Sequence, residues 1–132
     1  MKQKIGYVSV LVRDYDEAID YYTTILGFHL IEDAVLDASG KRWVVVGPVG
    51  AAECRLLLAR AVTLDERAAV GQQAGGRVFL FLHTDDFWRD FNAYTDRGVR
   101  FCEEPRSEPY GTVAVFVDLY GNRWDLLQLN GE

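Results

Sequence analysis

An internal repeat constrains the fold of this chain more than any other feature of its sequence. Asp14 and Asp86 lie 72 residues apart (86 − 14), and each stands directly before a run of apolar residues with helical spacing. At this offset the apolar positions of the two runs coincide, with Tyr15, Ile19 and Tyr22 falling on Phe87, Phe91 and Tyr94. A glycine ends both runs, and a repeated supersecondary unit outranks any local motif as evidence for a fold.

Each copy of the repeat has the pattern of one strand, one helix and three further strands. The predicted strands are apolar and β-branched, at residues 5–12, 28–36, 42–46 and 54–61, then 77–83, 99–102, 112–117 and 123–129. We therefore predict an α+β fold of two tandem βαβββ modules, at about residues 4–61 and 76–129, within a single domain 1–132. The eight strands are expected to form a curved, mostly antiparallel sheet cup, with residues 62–75 as a linker.

The composition excludes several classes of function. The chain has 132 residues, of which 49% are hydrophobic, enough for one core. A net charge of −6 disfavours nucleic acids and anionic membranes as partners. No apolar run approaches the roughly 18 residues of a spanning helix, and residues 1–10 lack the apolar core of a signal peptide. We expect a cytoplasmic protein in which Cys54 and Cys102 form no disulfide framework.

Two stretches carry recognisable motifs: VSVLVRDYDEAIDYYTTILGF at residues 8–28, and EEPRSEPYGTVAVFVDLYGNRWDLLQ at residues 103–128. Their patterns, V-x-D…Y-x-x-x-L-G-F and D-x-x-G-N-x-x-x-L-x-Q, resemble those of the vicinal oxygen chelate superfamily. That superfamily includes glyoxalase I, bleomycin-resistance proteins and extradiol dioxygenases, and the resemblance covers residues 5–128. It implies the same cup of two βαβββ modules, but the fold alone does not determine the chemistry.

The resemblance also implies a metal position that this chain departs from. Metal-using members place a His or Gln on the first strand of each half and a Glu on the last strand. Here the first-strand positions are Tyr7 and Phe79, and the last-strand positions are Arg55 and Asp125. A benzyl group offers no lone pair, a guanidinium repels a cation, and a neutral phenol is a poor ligand. We therefore predict no metal site and no cofactor.

The altered cup suggests a ligand-binding surface instead. The resemblance places Arg55 and Asp125 at equivalent positions, so we expect them to form an ion pair that replaces the metal as the electrostatic centre. Such a pair adds little stability by itself, which leaves it available to hold a polar ligand. The predicted ligand-binding residues are Tyr7, Ser9, Arg42, Arg55, Phe79, Phe81 and Asp125. A cup filled by its own side chains, with no ligand, is the alternative.

Three functions remain open at this stage. The first is a metal-free module that binds a small, partly aromatic molecule, and the acidic balance of the chain favours a cationic one. The second is a metal-dependent lyase, isomerase or dioxygenase with unconventional ligands, for which His83, Asp125 and Glu103 or Glu104 are the candidates. The third is an interaction protein without a small ligand. All three predict a homodimer, because sheet edges and apolar faces need cover.

Overall fold

The structure, a computed structural model, describes residues 2–50 and 53–131 of the chain. The chain forms two units, Met1–Gly71 and Gln72–Glu132. The boundary falls within residues 62–75, the predicted linker, so the two units correspond to the two predicted modules. The expectation that both modules belong to one domain stays a prediction. None of the helices in the described residues is long and apolar enough to span a membrane.

Each unit begins with a strand, a helix and further strands, which confirms the α+β class. The first unit contains β1 (Tyr7–Val12), α1 (Tyr15–Asp20) continued by a π-helical turn (Tyr21–Ile25), β2 (His29–Val35), β3 (Arg42–Gly47), β4 (Arg55–Arg60) and α2 (Leu64–Ala69). The second contains β5 (Val78–His83), α3 (Phe87–Asp96), β6 (Arg100–Phe101), β7 (Arg106–Glu108), β8 (Gly111–Val117) and β9 (Arg123–Leu129).

Strand pairing is also alike in the two sheets. The first sheet has the order β1-β4-β3-β2, and the second β5-β9-β8-β6 with β7 also paired to β8. In each sheet the first and last strands of the unit pair in parallel, and the other pairs are antiparallel. The first strand of each unit therefore lies directly beside its last strand.

The described residues contain nine strands rather than the eight expected, because one edge strand is interrupted. Both β6 and β7 pair with the same partner, β8, at its two ends. At the interruption, the Glu103 carboxylate accepts a hydrogen bond from the backbone N–H of Val115 (3.2 Å). The sequence around Pro105 and Pro109 indicated only a loop, since proline cannot donate to a ladder and disguises a short edge strand.

Local capping explains where the two long helices begin and end. The Asp14 carboxylate accepts from the Glu17 N–H (2.8 Å), and the Asp86 carboxylate accepts from the Arg89 N–H (3.1 Å). Both satisfy a donor that a helix leaves unpaired in its first turn. After the helices, glycines 27 and 98 adopt positive φ values of 77° and 87°, the left-handed conformation that commonly follows a helix.

The predicted linker is more ordered than expected, because it contains α2. Thr63 caps this helix by accepting from the Glu66 N–H (3.1 Å), and Glu66 Oε1 accepts in return from the Val62 N–H (2.9 Å). This reciprocal pair is a capping box, T-x-x-E in the sequence. The charged residues that indicated a mobile loop are the solvent-facing side of a short helix.

The turn between β8 and β9 is built around Asp118. This carboxylate is 5% exposed and accepts hydrogen bonds from four donors: the Tyr120 and Asn122 backbone N–H, Asn122 Nδ2 and Trp124 Nε1 (3.0–3.1 Å). Buried hydrogen-bond donors need acceptors, and this single carboxylate accepts from all four of these donors in the turn. The D-x-x-G-N motif is thus explained as a structural turn.

Candidate ligand-binding site

The strand register brings three predicted residues together on one face of the first sheet. Tyr7 pairs with Arg55, and Ser9 pairs with Leu57 on the same parallel strand pair. The alternate residues Val10 and Val12 are fully buried, whereas Tyr7 remains 44% exposed. Side chains of paired residues project to the same side of a sheet. We call the surface formed by Tyr7, Ser9 and Arg55 the open face of the first sheet.

Arg55 lies on this face with part of its hydrogen-bonding capacity unused. Its side chain passes beside Gly47, where an added Cβ would lie 3.4 Å from Arg55 Cγ. The Arg55 Nε is buried and finds no hydrogen-bond partner among the described residues. A buried donor without a partner is costly, so this atom is available to a ligand. The predicted ion pair between Arg55 and Asp125 joins the two units and stays a prediction.

In the second sheet, the strand register differs from the sequence expectation. We expected Phe79 at the position equivalent to Tyr7, but β5 carries a bulge between Val78 and Leu80, and Phe81 pairs with Asp125. A bulge adds one residue to one strand, which shifts every later position. By strand pairing it is therefore Phe81, 59% exposed, that lies beside Asp125.

Asp125 occupies an unusual electrostatic environment. Its Oδ1 is buried and has no hydrogen-bond partner among the described residues. Burial raises the pKa of the Asp125 carboxyl above its ordinary value of 3.8, the positive charge of Arg106 opposes this, and Glu103 adds to it. Arg106 is already paired with Glu103 (3.0 Å) and Glu108 (2.8 Å). The Asp125 carboxylate is therefore easier to protonate than the carboxylate of a typical aspartate.

The other candidate catalytic residues, His83, Glu103 and Glu104, also lie in the second unit. His83 is exposed at the end of β5, paired with Leu127 two residues beyond Asp125 on β9. Glu104 is exposed in the segment between β6 and β7. Glu103, considered with it as a base, instead pairs with Arg106 and satisfies the Val115 N–H. Its carboxylate holds the interrupted edge strand together.

Arg42 and Trp43 project to opposite sides of β3. The Arg42 guanidinium binds both carboxylate oxygens of Asp33 (3.1 and 2.7 Å) and Asp16 (2.9 Å). Hydrogen bonds to Asp33 and then Asp16 raise the pKa of Arg42 further above its usual range. Trp43 lies on the open face, where its ring meets the Tyr7 ring edge-on at 5.6 Å. The predicted binding residue Arg42 is therefore already engaged, and its neighbour Trp43 is the one that remains available.

A concave pocket of about 690 Å³ lies in the first unit, and we call it the first-unit pocket. Its apolar and aromatic wall consists of Leu11, Tyr15, Leu36, Trp43, Leu57, Leu58, Ala59 and Val62. Its polar wall consists of Ser9, Ser39, Lys41, Arg42, Arg60, Thr63 and Glu66. The volume and the mixture of an apolar wall with a few polar groups are typical of small-molecule sites.

The predicted site residues are divided between this pocket and the sheet faces. Ser9 and Arg42 line the first-unit pocket, and Tyr7 contacts its Trp43. Sequence reasoning missed Tyr15 and Arg60, because one was assigned to the helix core and the other ends a strand. The Arg60 guanidinium lies over the Tyr15 ring at 5.4 Å, and that of Arg42 lies 5.1 Å from the same ring. No sequence signal would have paired residues so far apart in the chain.

Comparisons with known proteins match this architecture over nearly the whole chain. The model of the Glyoxalase/Bleomycin resistance protein/Dioxygenase superfamily matches residues 4–126. The chain belongs to this superfamily. An uncharacterized protein of Shewanella frigidimarina is 57% identical over 130 residues, covering 98% of this chain and 96% of that protein.

Solved structures also match this chain over nearly its whole length. UcmS2 has a TM-score of 0.83 and 28% identity, covering 96% of this chain and 98% of that chain. TnmS3, an antibiotic binding protein from Streptomyces sp. CB03234, has a TM-score of 0.78 and 31% identity, covering 98% of both chains. These likenesses agree with the superfamily assignment and with the α+β fold.

The metal positions implied for the superfamily do not fit a divalent ion in this member. They carry the Tyr7 phenol, a phenylalanine ring (Phe79 by the sequence repeat, Phe81 by strand pairing), the Arg55 guanidinium and a single carboxylate, Asp125. One carboxylate does not supply the three or four donors of a typical protein metal site. Within residues 2–50 and 53–131, no three His, Cys, Asp or Glu side chains form a group that could hold a metal ion.

Proposed function

We propose that this member of the superfamily binds a small organic molecule in the first-unit pocket, and that it does so without a metal ion. The observation that carries the proposal is the pocket itself. A volume of about 690 Å³ is enough for a ligand of drug-like size. Trp43 offers it a flat apolar surface, and Ser9 and Arg60 offer hydrogen bonds.

Similarity supports a binding role over an enzymatic one. TnmS3, which is 31% identical to this chain, is described as an antibiotic binding protein. The donor chemistry at the positions of the superfamily metal also favours a metal-free site, for the reasons given above.

A binding screen with a matched pair of variants tests this proposal. Isothermal titration of aromatic acids, amines and neutral compounds should find at least one that binds with one site per chain. Trp43→Ala removes the tryptophan ring from the apolar part of the pocket and should strongly weaken the binding of that compound. Trp88→Ala, which removes an exposed tryptophan from α3 outside the pocket, should leave its affinity unchanged. Absence of binding from every class, or equal loss in both variants, would contradict the proposal.

We also propose that the protein is a homodimer and that it acts in the cytoplasm. β2 is an edge of the first sheet and exposes Leu30 and Val35 (75% exposed). An exposed apolar edge strand invites pairing, and a second copy of the chain is the simplest cover. Light scattering during gel filtration should give twice the chain mass, whereas a monomer at all concentrations would refute the dimer.

A further inference from the structure

We infer that the ligand of the first-unit pocket carries an anionic group, and that Arg60 and Lys41 bind it. The inference rests on the proposed function, because it assigns the charge of the molecule that the pocket takes. It is opposite to the expectation from the whole chain, whose net charge of −6 favours a cationic ligand. Three cationic side chains and one acidic side chain line the pocket, which supports the opposite sign.

The cations that line the pocket differ in whether they are already neutralised. The pocket contains three of them, Lys41, Arg42 and Arg60. Arg42 forms ion pairs with two carboxylates, Asp33 (2.7 Å) and Asp16 (2.9 Å), so its single charge is more than offset within the protein. None of the ion pairs within 4.0 Å in the described part of the chain includes Arg60 or Lys41. Two cations therefore remain for a ligand.

Arg60 is held in place although it has no anionic partner. Its guanidinium lies over the Tyr15 ring at 5.4 Å, and the ring is fixed because its hydroxyl accepts from the Arg42 N–H (3.2 Å). Cation–π stacking of this kind orients a guanidinium while leaving its in-plane N–H donors unused. Those donors match a carboxylate, sulfonate or phosphate, which arginine binds through paired hydrogen bonds.

Lys41 and Glu66 complete the charges of the pocket. Lys41 is exposed, and its ammonium acts on the Asp37 carboxylate at a distance, without an ion pair. The Asp37 carboxylate is itself bound by the Ser39 N–H (2.9 Å). Glu66, the acid in the pocket wall, accepts from the Val62 N–H (2.9 Å) as part of its capping box. Glu66 keeps its negative charge, but its carboxylate is held at the start of α2 and forms no ion pair with Arg60 in the described residues, so the Arg60 guanidinium has no anionic partner within 4.0 Å.

The apolar residues that line the pocket indicate the rest of the ligand's chemistry. Leu36 and Val62 line it although they are 51% and 60% exposed, and Trp43 lines it from β3, the strand beside β4. Large apolar side chains that stay exposed beside a cavity indicate an apolar ligand surface. The ligand class is therefore a flat apolar molecule with one anionic substituent.

Three matched probes test the sign of the charge. Naphthalene carrying a carboxylate, a hydroxymethyl or an aminomethyl group at the same ring position differs only in charge. Isothermal titration should rank the carboxylate tightest and the aminomethyl compound weakest. Arg60→Gln should weaken the carboxylate about tenfold, which corresponds to about 1.4 kcal/mol, while the neutral probe changes little. Lys41→Gln should weaken the carboxylate by a smaller factor, because the lysine is exposed to solvent.

Controls separate this inference from the proposed function. Arg100→Gln removes an exposed arginine from β6 outside the pocket and should change no affinity. Arg60→Lys keeps the charge and should restore part of the carboxylate affinity, which shows that Arg60→Gln acts through charge and not through misfolding. If the neutral or cationic probe binds as tightly as the carboxylate, or if Arg60→Gln leaves the carboxylate unaffected, the inference is overturned while the proposed function stands. If no probe binds, both fail.

Discussion

Replacing Asp118 by Asn tests the hydrogen-bonded turn that the D-x-x-G-N motif encodes. The change keeps the shape of the side chain but turns one acceptor oxygen into an NH2 group. Oδ1 accepts from the backbone N–H of Tyr120 and Asn122, and Oδ2 accepts from Asn122 Nδ2 and Trp124 Nε1. Whichever oxygen is replaced, two donors lose their acceptor and face another donor.

The size of the effect follows from the burial of those donors. Asn122 is 1% exposed and Trp124 is 3% exposed, so water does not replace a lost acceptor there. Leaving a buried donor unpaired costs about 1–3 kcal/mol, and the side chains can relax in part. We therefore expect Asp118→Asn to lower the free energy of unfolding by about 2–4 kcal/mol, and Asp118→Ala by about 3–5 kcal/mol.

Urea unfolding followed by tryptophan fluorescence and by circular dichroism measures both variants. Asp96→Asn, an exposed acid in the last turn of α3, makes the same change in charge without removing these bonds. Asp96→Asn should leave the urea midpoint nearly unchanged, because surface substitutions usually change the free energy of unfolding by no more than about 0.5 kcal/mol. If Asp118→Asn is no less stable than Asp96→Asn, the turn is not held by this carboxylate and the reasoning is refuted.

Two further predictions concern the second unit. Gln128 joins β9 to the start of α3, since its Oε1 accepts from the Phe87 N–H and its Nε2 donates to the Asp85 carbonyl oxygen, both at 2.9 Å. Gln128→Leu should cost about 1–3 kcal/mol in urea unfolding, and a stability equal to wild type would contradict this role. Asp125→Asn should stabilise the protein at neutral pH, because a raised folded pKa means that the charged carboxyl is disfavoured by folding. That advantage should shrink as the pH falls toward the ordinary value of 3.8, and an advantage that grows with acidity would contradict the sign.

The parts of the fold that depend on residues close together in the sequence were predictable. The capping side chains Asp14 and Asp86 bond to donors three residues away, so the pattern alone located both helix starts. The strand limits agree within two residues, because apolar composition follows burial. Glycines 27 and 98 end both helices for a local conformational reason, their positive φ.

The parts that depend on distant residues were not predictable. The bulge before Leu80 and the interruption at Glu103 exist only because a partner strand sets the register. For the same reason Phe79 was placed where Phe81 lies, and β7 was assigned to a loop. A single sequence carries no information about which residues of two strands will be opposite each other.

The candidate site shows the same division. Strand alternation put Ser9 on the same face as Tyr7, and it put Arg42 and Trp43 on opposite sides of β3 without showing which side is open. The engagement of Arg42 by Asp33 and Asp16 depends on contacts across 9 and 26 residues, and could not be read from the chain. Nor could the stacking of Arg60 on Tyr15. Strand alternation is thus readable from the sequence, whereas the ion pairs and the ring stacking around the pocket are not.

The central claim is that the first-unit pocket binds an organic molecule with no metal ion. Titration of the naphthalene carboxylate into protein dialysed against a strong chelator, with elemental analysis of the same sample, tests it most directly. We predict one site per chain and an affinity unchanged by the chelator. Binding that disappears on chelation and returns with one equivalent of a single divalent metal would contradict the account.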